Sequence, residues 1–267
     1  MTTHHAHDCV DVDGVRLAYH VEGREQGESL VFVNSLGTDL RMWDAQAEAL
    51  GPHFSVIRYD CRGHGASDVS GDATTLDRLG GDLVALLDHL GIARAHLCGL
   101  SLGGIVAQWA AIHHPERVGR VVLANTAARL GSRDSWNARI ATVREHGMKG
   151  VSDAVVGRFL GAEFRAEHPD VARRIAEMVE ATPPDGYVAA CVALRDADLR
   201  DAVRGISAPT LIIVSEHDES TPAWQGEELH DAIAGSERVM IRGAAHLSNV
   251  VRQEEFTHNV ARFLGAP

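Results

Sequence analysis

The chain has 267 residues, of which 25 are Lys or Arg and 37 are Asp or Glu, so its formal net charge at pH 7 is −12. That balance argues against nucleic-acid binding, because a surface that follows a phosphate backbone needs clustered cations. Hydrophobic residues make up 45% of the chain and charged residues 23%, which are ordinary globular values and exclude an intrinsically disordered protein.

The N-terminus and the cysteines favour a cytoplasmic protein. Residues 1–12 read MTTHHAHDCVDV and lack the apolar stretch of a secretory signal, and no apolar run approaches the ~20 residues of a membrane span. His4, His5 and His7 could hold a metal, but at a chain terminus a solvated tail is the favoured interpretation. The cysteines are far apart, without a CxxC pair, which indicates reduced thiols rather than disulfides or a zinc site. They are Cys9, Cys61, Cys98 and Cys191.

Strand-like and helix-like patterns alternate along the chain, and this alternation predicts a mostly parallel α/β sheet flanked by helices. An opening hairpin is predicted at residues 9–12 and 15–21, which flank Asp13-Gly14, a dipeptide suited to the positive φ angles of a tight turn. Six more short apolar strands are predicted at residues 30–33, 55–59, 95–98, 120–124, 210–214 and 238–241. Apolar residues spaced three and four apart predict helices at residues 76–90, 102–113, 224–234 and 254–264.

The alternation is interrupted once, at residues 127–205, where the pattern is amphipathic and helical throughout. One apolar stripe there is Trp136, Ile140 and Val143. Open α/β sheets bind ligands at the carboxyl ends of their strands, so we interpret this segment as a helical lid, or cap. The core is then formed by residues 1–126 and 206–267. The alternative is a peripheral helical excursion without a role in binding.

A candidate nucleophile lies between a predicted strand and a predicted helix. Gly99-Leu100-Ser101-Leu102-Gly103 is a G-x-S-x-G sequence. A strand that turns abruptly into a helix forces the serine into a strained conformation, and glycines two residues to either side leave room for the crowded backbone. The pattern alone is weak evidence, but its position between a strand and a helix makes Ser101 the predicted nucleophile.

A serine hydroxyl needs a base and a group that orients the base, in the chain order serine, acid, histidine. His246 follows the last predicted strand, just before the terminal helix, and is the preferred base. The other histidines considered are His64, His113, His114 and His217. Asp218, at the end of the strand of residues 210–214, is the preferred acid; Glu216 is the alternative, and Asp218 could instead cap the turn before Pro222.

The oxyanion hole is expected to use the backbone N–H of Leu102, at the start of a helix, and that of Leu36, in the loop after the strand of residues 30–33. A second glycine-containing turn, at residues 60–67, reads DCRGHGAS. We interpret it as a tight structural loop below the site rather than as a catalytic element.

At these residues the sequence resembles the α/β-hydrolase family, and within it the enol-lactonases. The resemblance extends over nearly the whole chain, and the segment at residues 127–205 is its more discriminating part. It rests on residues 34–43 (NSLGTDLRMW), 98–104 (CGLSLGG), 124–131 (ANTAARLG), 136–140 (WNARI), 182–187 (TPPDGY) and 245–249 (AHLSN).

The resemblance implies an α/β-hydrolase fold and hydrolysis of a small anionic lactone, 3-oxoadipate enol-lactone, without cofactor or metal. Because that substrate is anionic and the protein carries −12, a cation in the pocket must bind its carboxylate. Three arginines flank Trp136, and we expect one of them to do so while Trp136 forms a wall against the ring. They are Arg129, Arg133 and Arg139. Alternatively, these arginines are solvated and Trp136 is part of the lid's own core.

Other activities would use the same three catalytic residues. A broad carboxylesterase and a cofactor-free perhydrolase both share them, so only tests with other substrates separate these enzymes from a lactonase. Dehalogenases and epoxide hydrolases of similar fold use a carboxylate nucleophile. This chain has Ser101 at that position, so both enzyme classes are disfavoured. A receptor-like binding protein that retains the three residues is a further alternative, and it would turn substrate over slowly.

Overall fold

The computed structural model describes residues 7–266 and is built around one sheet of eight strands. All eight predicted strands are present. They are β1 (Asp8–Val12), β2 (Val15–Gly23), β3 (Glu28–Val33), β4 (Phe54–Tyr59), β5 (Ala95–Leu100), β6 (Val118–Ala124), β7 (Thr210–Ser215) and β8 (Glu237–Ile241).

The strands lie in the order β1-β2-β4-β3-β5-β6-β7-β8. β1 and β2 are joined by the predicted hairpin, whose turn residues Asp13 and Gly14 have φ angles of 53° and 79°. β2 pairs antiparallel with β4, and every later pair in this order is parallel. The mostly parallel α/β sheet is therefore confirmed, and the carboxyl ends of β3 and β5 to β8 meet at one edge.

Within residues 7–266, six helices belong to the sheet and its connections. They are α1 (Asp44–Leu50), α2 (Leu76–His89), α3 (Leu102–His113), α9 (Ala223–Ala232), α10 (Ser248–Val251) and α11 (Gln253–Leu264). α1 packs against α11, and α2 packs against α3. The predicted helices correspond to α2, α3, α9 and α11, whereas the short α1 and α10 have too few turns to produce a clear apolar period.

Five helices lie between β6 and β7, in what we call the helical segment (residues 127–205). The buried stripe Trp136, Ile140 and Val143 lies on α4, which packs against α8, and α5 packs against α7. The five are α4 (Arg133–His146), α5 (Lys149–Leu160), α6 (Ala162–Glu167), α7 (Pro169–Ala181) and α8 (Pro184–Asp196). Within residues 7–266, no helix is both long enough and apolar enough to cross a membrane.

Backbone contacts hold the helical segment against the strand ends. The N–H of Leu247 donates to the carbonyl of Phe159 at 2.9 Å, so the loop after β8 is hydrogen-bonded to the end of α5. The backbones of Gly63 and Gly186 touch: a Cβ atom on Gly186 would lie 2.2 Å from the Gly63 carbonyl oxygen. The segment therefore lies over the edge of the sheet where the candidate site residues are found.

Candidate active site

Ser101 lies at an abrupt turn from β5 into α3. Its backbone has φ 57° and ψ −112°, a conformation that residues with a side chain rarely adopt. A Cβ atom on Gly99 would lie 2.1 Å from the carbonyl oxygen of Gly103, and one on Gly103 would lie 2.0 Å from that of Val33. Both positions therefore require glycine, which is the steric reason given by the sequence pattern.

Asp218 follows β7, His246 lies in the loop after β8, and the two side chains are in contact. Nδ1 of His246 lies 2.8 Å from Oδ2 of Asp218 and 3.0 Å from Oδ1. Burial by itself raises the pKa of Asp218, but the charge of His246 and hydrogen bonds from His246 and Thr221 outweigh it. The pKa of Asp218 consequently lies below its ordinary value. An ionised carboxylate therefore faces the imidazole, and Nε2 is left as its free nitrogen.

The loop after β7 fixes the carboxylate of Asp218. Oδ1 accepts hydrogen bonds from the N–H groups of Ser220, at 2.8 Å, and Thr221, at 2.9 Å. The Thr221 hydroxyl donates to Oδ2 at 2.6 Å. On the other side, the ring of Phe159 stacks on His246 with a centroid distance of 5.5 Å. Both members of the pair are thus oriented by their surroundings.

Ser101 and His246 line one cavity of about 280 Å³ between the strand ends and the helical segment. Among the described residues, no direct hydrogen bond joins their side chains. The core also contributes Ser35, Leu36, Glu219, Ser220 and Thr221 to the lining. The helical segment contributes Leu130, Gly131, Ser135, Trp136, Arg139, Val155, Arg158, Phe159 and Tyr187.

The two predicted oxyanion donors lie near this cavity. Leu36 is part of its lining, and Leu102 is the first residue of α3, where the N–H has no acceptor within the helix. In the loop after β3, the N–H of Ser35 donates to Sδ of Met42 at 3.3 Å and that of Thr38 to the Ser35 carbonyl at 3.2 Å. These bonds do not use the Leu36 amide, which leaves it available to a ligand.

The alternative acid and bases do not line the cavity. Glu216 accepts a hydrogen bond from the N–H of Gly243 at 2.9 Å. His64 is buried, and burial lowers the pKa of its imidazole to about 4. The remaining alternatives outside the lining are His113, His114 and His217. The turn of residues 60–67 also lies outside it, with Arg62 paired to Asp82 in a buried salt bridge of 2.5 Å.

Two guanidinium groups line the cavity, and only one of them belongs to the three arginines expected from the sequence. Arg139 was a candidate and lies over the ring of Trp136, 4.9 Å from its centroid. Arg158, on α5, was missed. Both guanidinium groups line this one cavity. Burial and then the charge of Arg139 lower the pKa of Arg158, while Tyr187 and the exposed Glu219 act in the opposite direction. The helical spacing of the sequence could have indicated Arg158, because it follows the buried Val155 by three residues and so lies on the same helix face.

The structure does not bring the other two candidate arginines to this cavity. Arg129 forms an ion pair with Asp198 at 3.5 Å, and Arg133 forms one with Asp196 at 2.8 Å. The side chain of Arg133 is exposed and that of Arg129 is partly exposed, and their carboxylate partners are the last residue of α8 and a residue just after it. Of the three arginines expected to include a substrate ligand, only Arg139 therefore lines the cavity.

The cavity also contains a polar group without a partner. The hydroxyl group of Ser35 is buried and has no hydrogen-bond partner in the described part of the chain, whereas the buried hydroxyl group of Tyr187 lies beside the guanidinium group of Arg139. By contrast, the indole N–H of Trp136 donates to the Leu130 carbonyl at 2.7 Å, which fixes the ring as a wall. A wider groove of about 570 Å³ adjoins the cavity and shares Arg158 and Glu219 with it.

Metal-binding groups and disulfides are both absent from residues 7–266. Within that range, no group of three or more His, Cys, Asp or Glu side chains is arranged to hold a metal ion. His4 and His5 of the N-terminal cluster lie outside the described residues. All four cysteines are free thiols, as their spacing predicts.

Sequence comparison finds close relatives over the full length. A family profile described as the alpha/beta hydrolase fold matches residues 28–253. The 3-oxoadipate enol-lactonase 2 of Acinetobacter baylyi is 37% identical over 97% of this chain and 97% of its own length. The 3-oxoadipate enol-lactonase 1 of the same organism is 38% identical over 94% of each chain.

Structure comparison gives a concordant result. The crystal structure of the enol-lactonase from Burkholderia xenovorans LB400 superposes with a TM-score of 0.95 at 41% identity. The match covers 97% of this chain and 100% of that one. The similarity therefore includes the helical segment as well as the sheet.

Proposed function

This chain belongs to the α/β-hydrolase fold family and is a hydrolase of carboxylic esters, and we propose that it opens 3-oxoadipate enol-lactone to 3-oxoadipate. The proposal combines the full-length similarity to proteins of that activity with a strained serine, a buried histidine and carboxylate pair, and two guanidinium groups at one cavity.

In the proposed acylation step, Ser101 attacks the lactone carbonyl while Nε2 of His246 takes the hydroxyl proton. Asp218 stabilises the imidazolium that forms. The electron pair of the C=O bond moves to the carbonyl oxygen, where the N–H groups of Leu36 and Leu102 stabilise the negative charge. When the carbonyl re-forms, the bond to the ring oxygen breaks and an enolate leaves.

The enolate remains attached through the opened ring, because the substrate is a lactone. It takes a proton from His246 and becomes the ketone of the acyl group. An enolate is a better leaving group than a simple alkoxide, so bond breaking requires less help from proton donation by His246. Water, deprotonated by His246, then attacks the acyl carbon. As the bond to Ser101 breaks, His246 returns the proton to the serine oxygen, and the product leaves as a carboxylic acid that ionises.

Arg139 and Arg158 are proposed to bind the carboxylate of the substrate. The protein carries −12, so its mean field opposes an anionic ligand and a local pair of cations must overcome it. Guanidinium groups suit this role because they donate two parallel hydrogen bonds to a carboxylate. The buried hydroxyl of Tyr187 lies beside Arg139 at this position, and Trp136 would form a wall against the lactone ring.

The helical segment (residues 127–205) is proposed to act as the lid over the core of residues 1–126 and 206–267. It supplies both proposed carboxylate ligands and the aromatic wall, which accounts for substrate choice, while the core supplies the groups that react. The scheme uses no cofactor and no metal, and we expect the enzyme to work in the cytoplasm.

The decisive experiment is to add the purified protein to enzymatically generated enol-lactone and follow the loss of its ultraviolet absorbance. We expect rapid, repeated turnover, and we expect Ser101→Ala to reduce kcat by several powers of ten while the protein stays folded. Faster hydrolysis of a neutral long-chain ester, or peracid formation, would instead favour the carboxylesterase or the perhydrolase. A single slow turnover would favour a receptor-like protein.

A further inference from the structure

Asn125 occupies the first position after β6, between the strand that ends beside Ser101 and the strand that leads to Asp218. It is buried, and its φ angle of 44° is unusual for a residue with a side chain. Its backbone N–H donates to the carbonyl of Ile213 in the neighbouring strand β7 at 2.8 Å. The backbone of Asn125 is thus held in place by the neighbouring strand, and this fixes the position of its Cβ atom.

The side-chain amide of Asn125 joins two loops of the site. Its Nδ2 donates to Oδ2 of Asp218 at 2.9 Å and to the hydroxyl of Ser215 at 2.8 Å. Its Oδ1 accepts a hydrogen bond from the hydroxyl of Ser248 at 2.5 Å. Ser248 comes two residues after His246, so one amide is bonded to the acid itself and to the loop that carries the base.

We propose that Asn125 is a positioning residue that holds the carboxylate of Asp218 toward His246 and keeps the two loops in register. The inference rests on the proposed function, in which Asp218 orients His246. Asn125 touches neither the cavity nor the reacting atoms, and it would act through Asp218.

The chemistry of the contacts explains why an amide occupies this position. Oδ2 of Asp218 is an acceptor, so its neighbour must donate, whereas the Ser248 hydroxyl donates and its neighbour must accept. An asparagine does both, and the carboxylate of Asp218, which can only accept, determines that Nδ2 of the amide faces it. A carboxylate at 125 would oppose the charge of Asp218, and an apolar side chain would leave one donor too few on a buried anion.

The test compares Asn125→Leu with Gln108→Leu as a matched control. Gln108 is also a buried amide, and it donates to the Ala127 carbonyl at 3.2 Å, away from Asp218 and His246. Both variants lose a buried amide and some stability, but only Asn125→Leu should lose kcat, by about 10- to 100-fold as for other residues that orient a catalytic group. KM should change by less than about twofold, because Asn125 does not contact the substrate.

The second readout needs no substrate and therefore separates this inference from the proposed function. The proton on Nδ1 of His246, hydrogen-bonded to Asp218, should give a downfield proton NMR signal, and Asn125→Leu should shift or broaden it while Gln108→Leu leaves it in place. If Asn125→Leu fails to fold, Ser248→Ala serves instead, because it removes only the hydrogen bond from the Ser248 hydroxyl to Oδ1 of Asn125. Ser248→Ala should shift the Nδ1 proton signal of His246 in the same direction as Asn125→Leu does, but by a smaller amount.

An unchanged signal and unchanged kcat in a folded Asn125→Leu protein would overturn the inference. Equal losses of kcat in Asn125→Leu and Gln108→Leu would also overturn it, because they would indicate a general effect of stability. If the wild-type protein does not hydrolyse the lactone but the signal shifts as described, the positioning role stands and the proposed substrate is wrong.

Discussion

The imidazole of His246 lies 2.8 Å from the carboxylate of Asp218, although 28 residues separate them in the chain. Parallel strands cause this proximity, because β7 and β8 are neighbours and the loops after both strands leave the sheet at the same edge. The pair is buried, and Asp218 also accepts hydrogen bonds from its own loop. Folding therefore orients the base before any substrate binds.

Replacing Asp218 by Asn should reduce kcat by about 10⁴-fold, as loss of the orienting carboxylate does in other serine hydrolases. An amide group would present a donor to His246 and favour the wrong tautomer. Glu216→Gln is the matched control, because Glu216 was the alternative acid and lies outside the cavity. Steady-state kinetics of both variants give the comparison. Equal losses of kcat, or a larger loss in Glu216→Gln, would show that Asp218 is not the carboxylate that orients His246.

Replacing Arg139 or Arg158 by Met should raise KM for the anionic lactone by about tenfold or more, since hydrogen bonds to charged groups are among the stronger ones. A small neutral ester such as p-nitrophenyl acetate has no carboxylate, and its KM should stay near the wild-type value. Arg129→Met is the control because Arg129 is paired to Asp198 away from the cavity. A uniform effect on both substrates would contradict a carboxylate-binding role.

The positions of these arginines could not be predicted from the sequence, whereas the positions of the strands and of the candidate catalytic residues could. The strands and the serine, acid and histidine positions follow from local patterns, because an apolar run or a glycine-bounded turn is set by nearby residues. The cavity wall depends on how each helix of the segment is rotated against its neighbours. Arg133 and Arg139 lie on the same helix, yet only Arg139 faces inward, and Arg158 comes from a different helix.

Two adjacent glycines in α2 should respond in opposite ways to substitution by Ala. A Cβ atom on Gly80 would lie 1.9 Å from the ring of Trp109, whereas one on Gly81 meets no atom within 4 Å. Gly80→Ala should lower the free energy of unfolding by about 1–3 kcal/mol or more through overpacking. Gly81→Ala should raise it by about 0.5–1 kcal/mol, because Ala is the better helix former. Urea denaturation decides, and equal effects would contradict the close packing of α2 on α3.

Asp60 should make stability depend on pH in a way that Asp60→Asn removes. Its carboxylate accepts hydrogen bonds from the N–H groups of Leu40 and Ala66, but burial outweighs them and raises the pKa of Asp60 from 3.8 to about 7. Between about pH 4 and pH 7 the folded state therefore holds a proton that the unfolded state has lost. The contribution of Asp60 to stability is full below pH 4 and is lost as the pH rises through 7.

The measurement is urea denaturation of both proteins at several pH values. The free energy of unfolding of the wild type minus that of Asp60→Asn should fall as the pH rises from about 4 to about 7. Taking the difference removes the contributions of groups that titrate in both proteins. A difference that stays constant over this range, or that rises, would contradict a raised pKa at Asp60.

In the proposed reaction the lactone acylates Ser101, and rapid acid quenching followed by peptide mass spectrometry detects that acyl-enzyme. Ring opening keeps the leaving group attached, so the peptide that contains Ser101 should gain the mass of one whole lactone molecule during turnover. The Ser101→Ala protein should show neither this adduct nor turnover. An adduct on a residue other than Ser101, or undiminished hydrolysis by Ser101→Ala, would show that Ser101 is not the nucleophile.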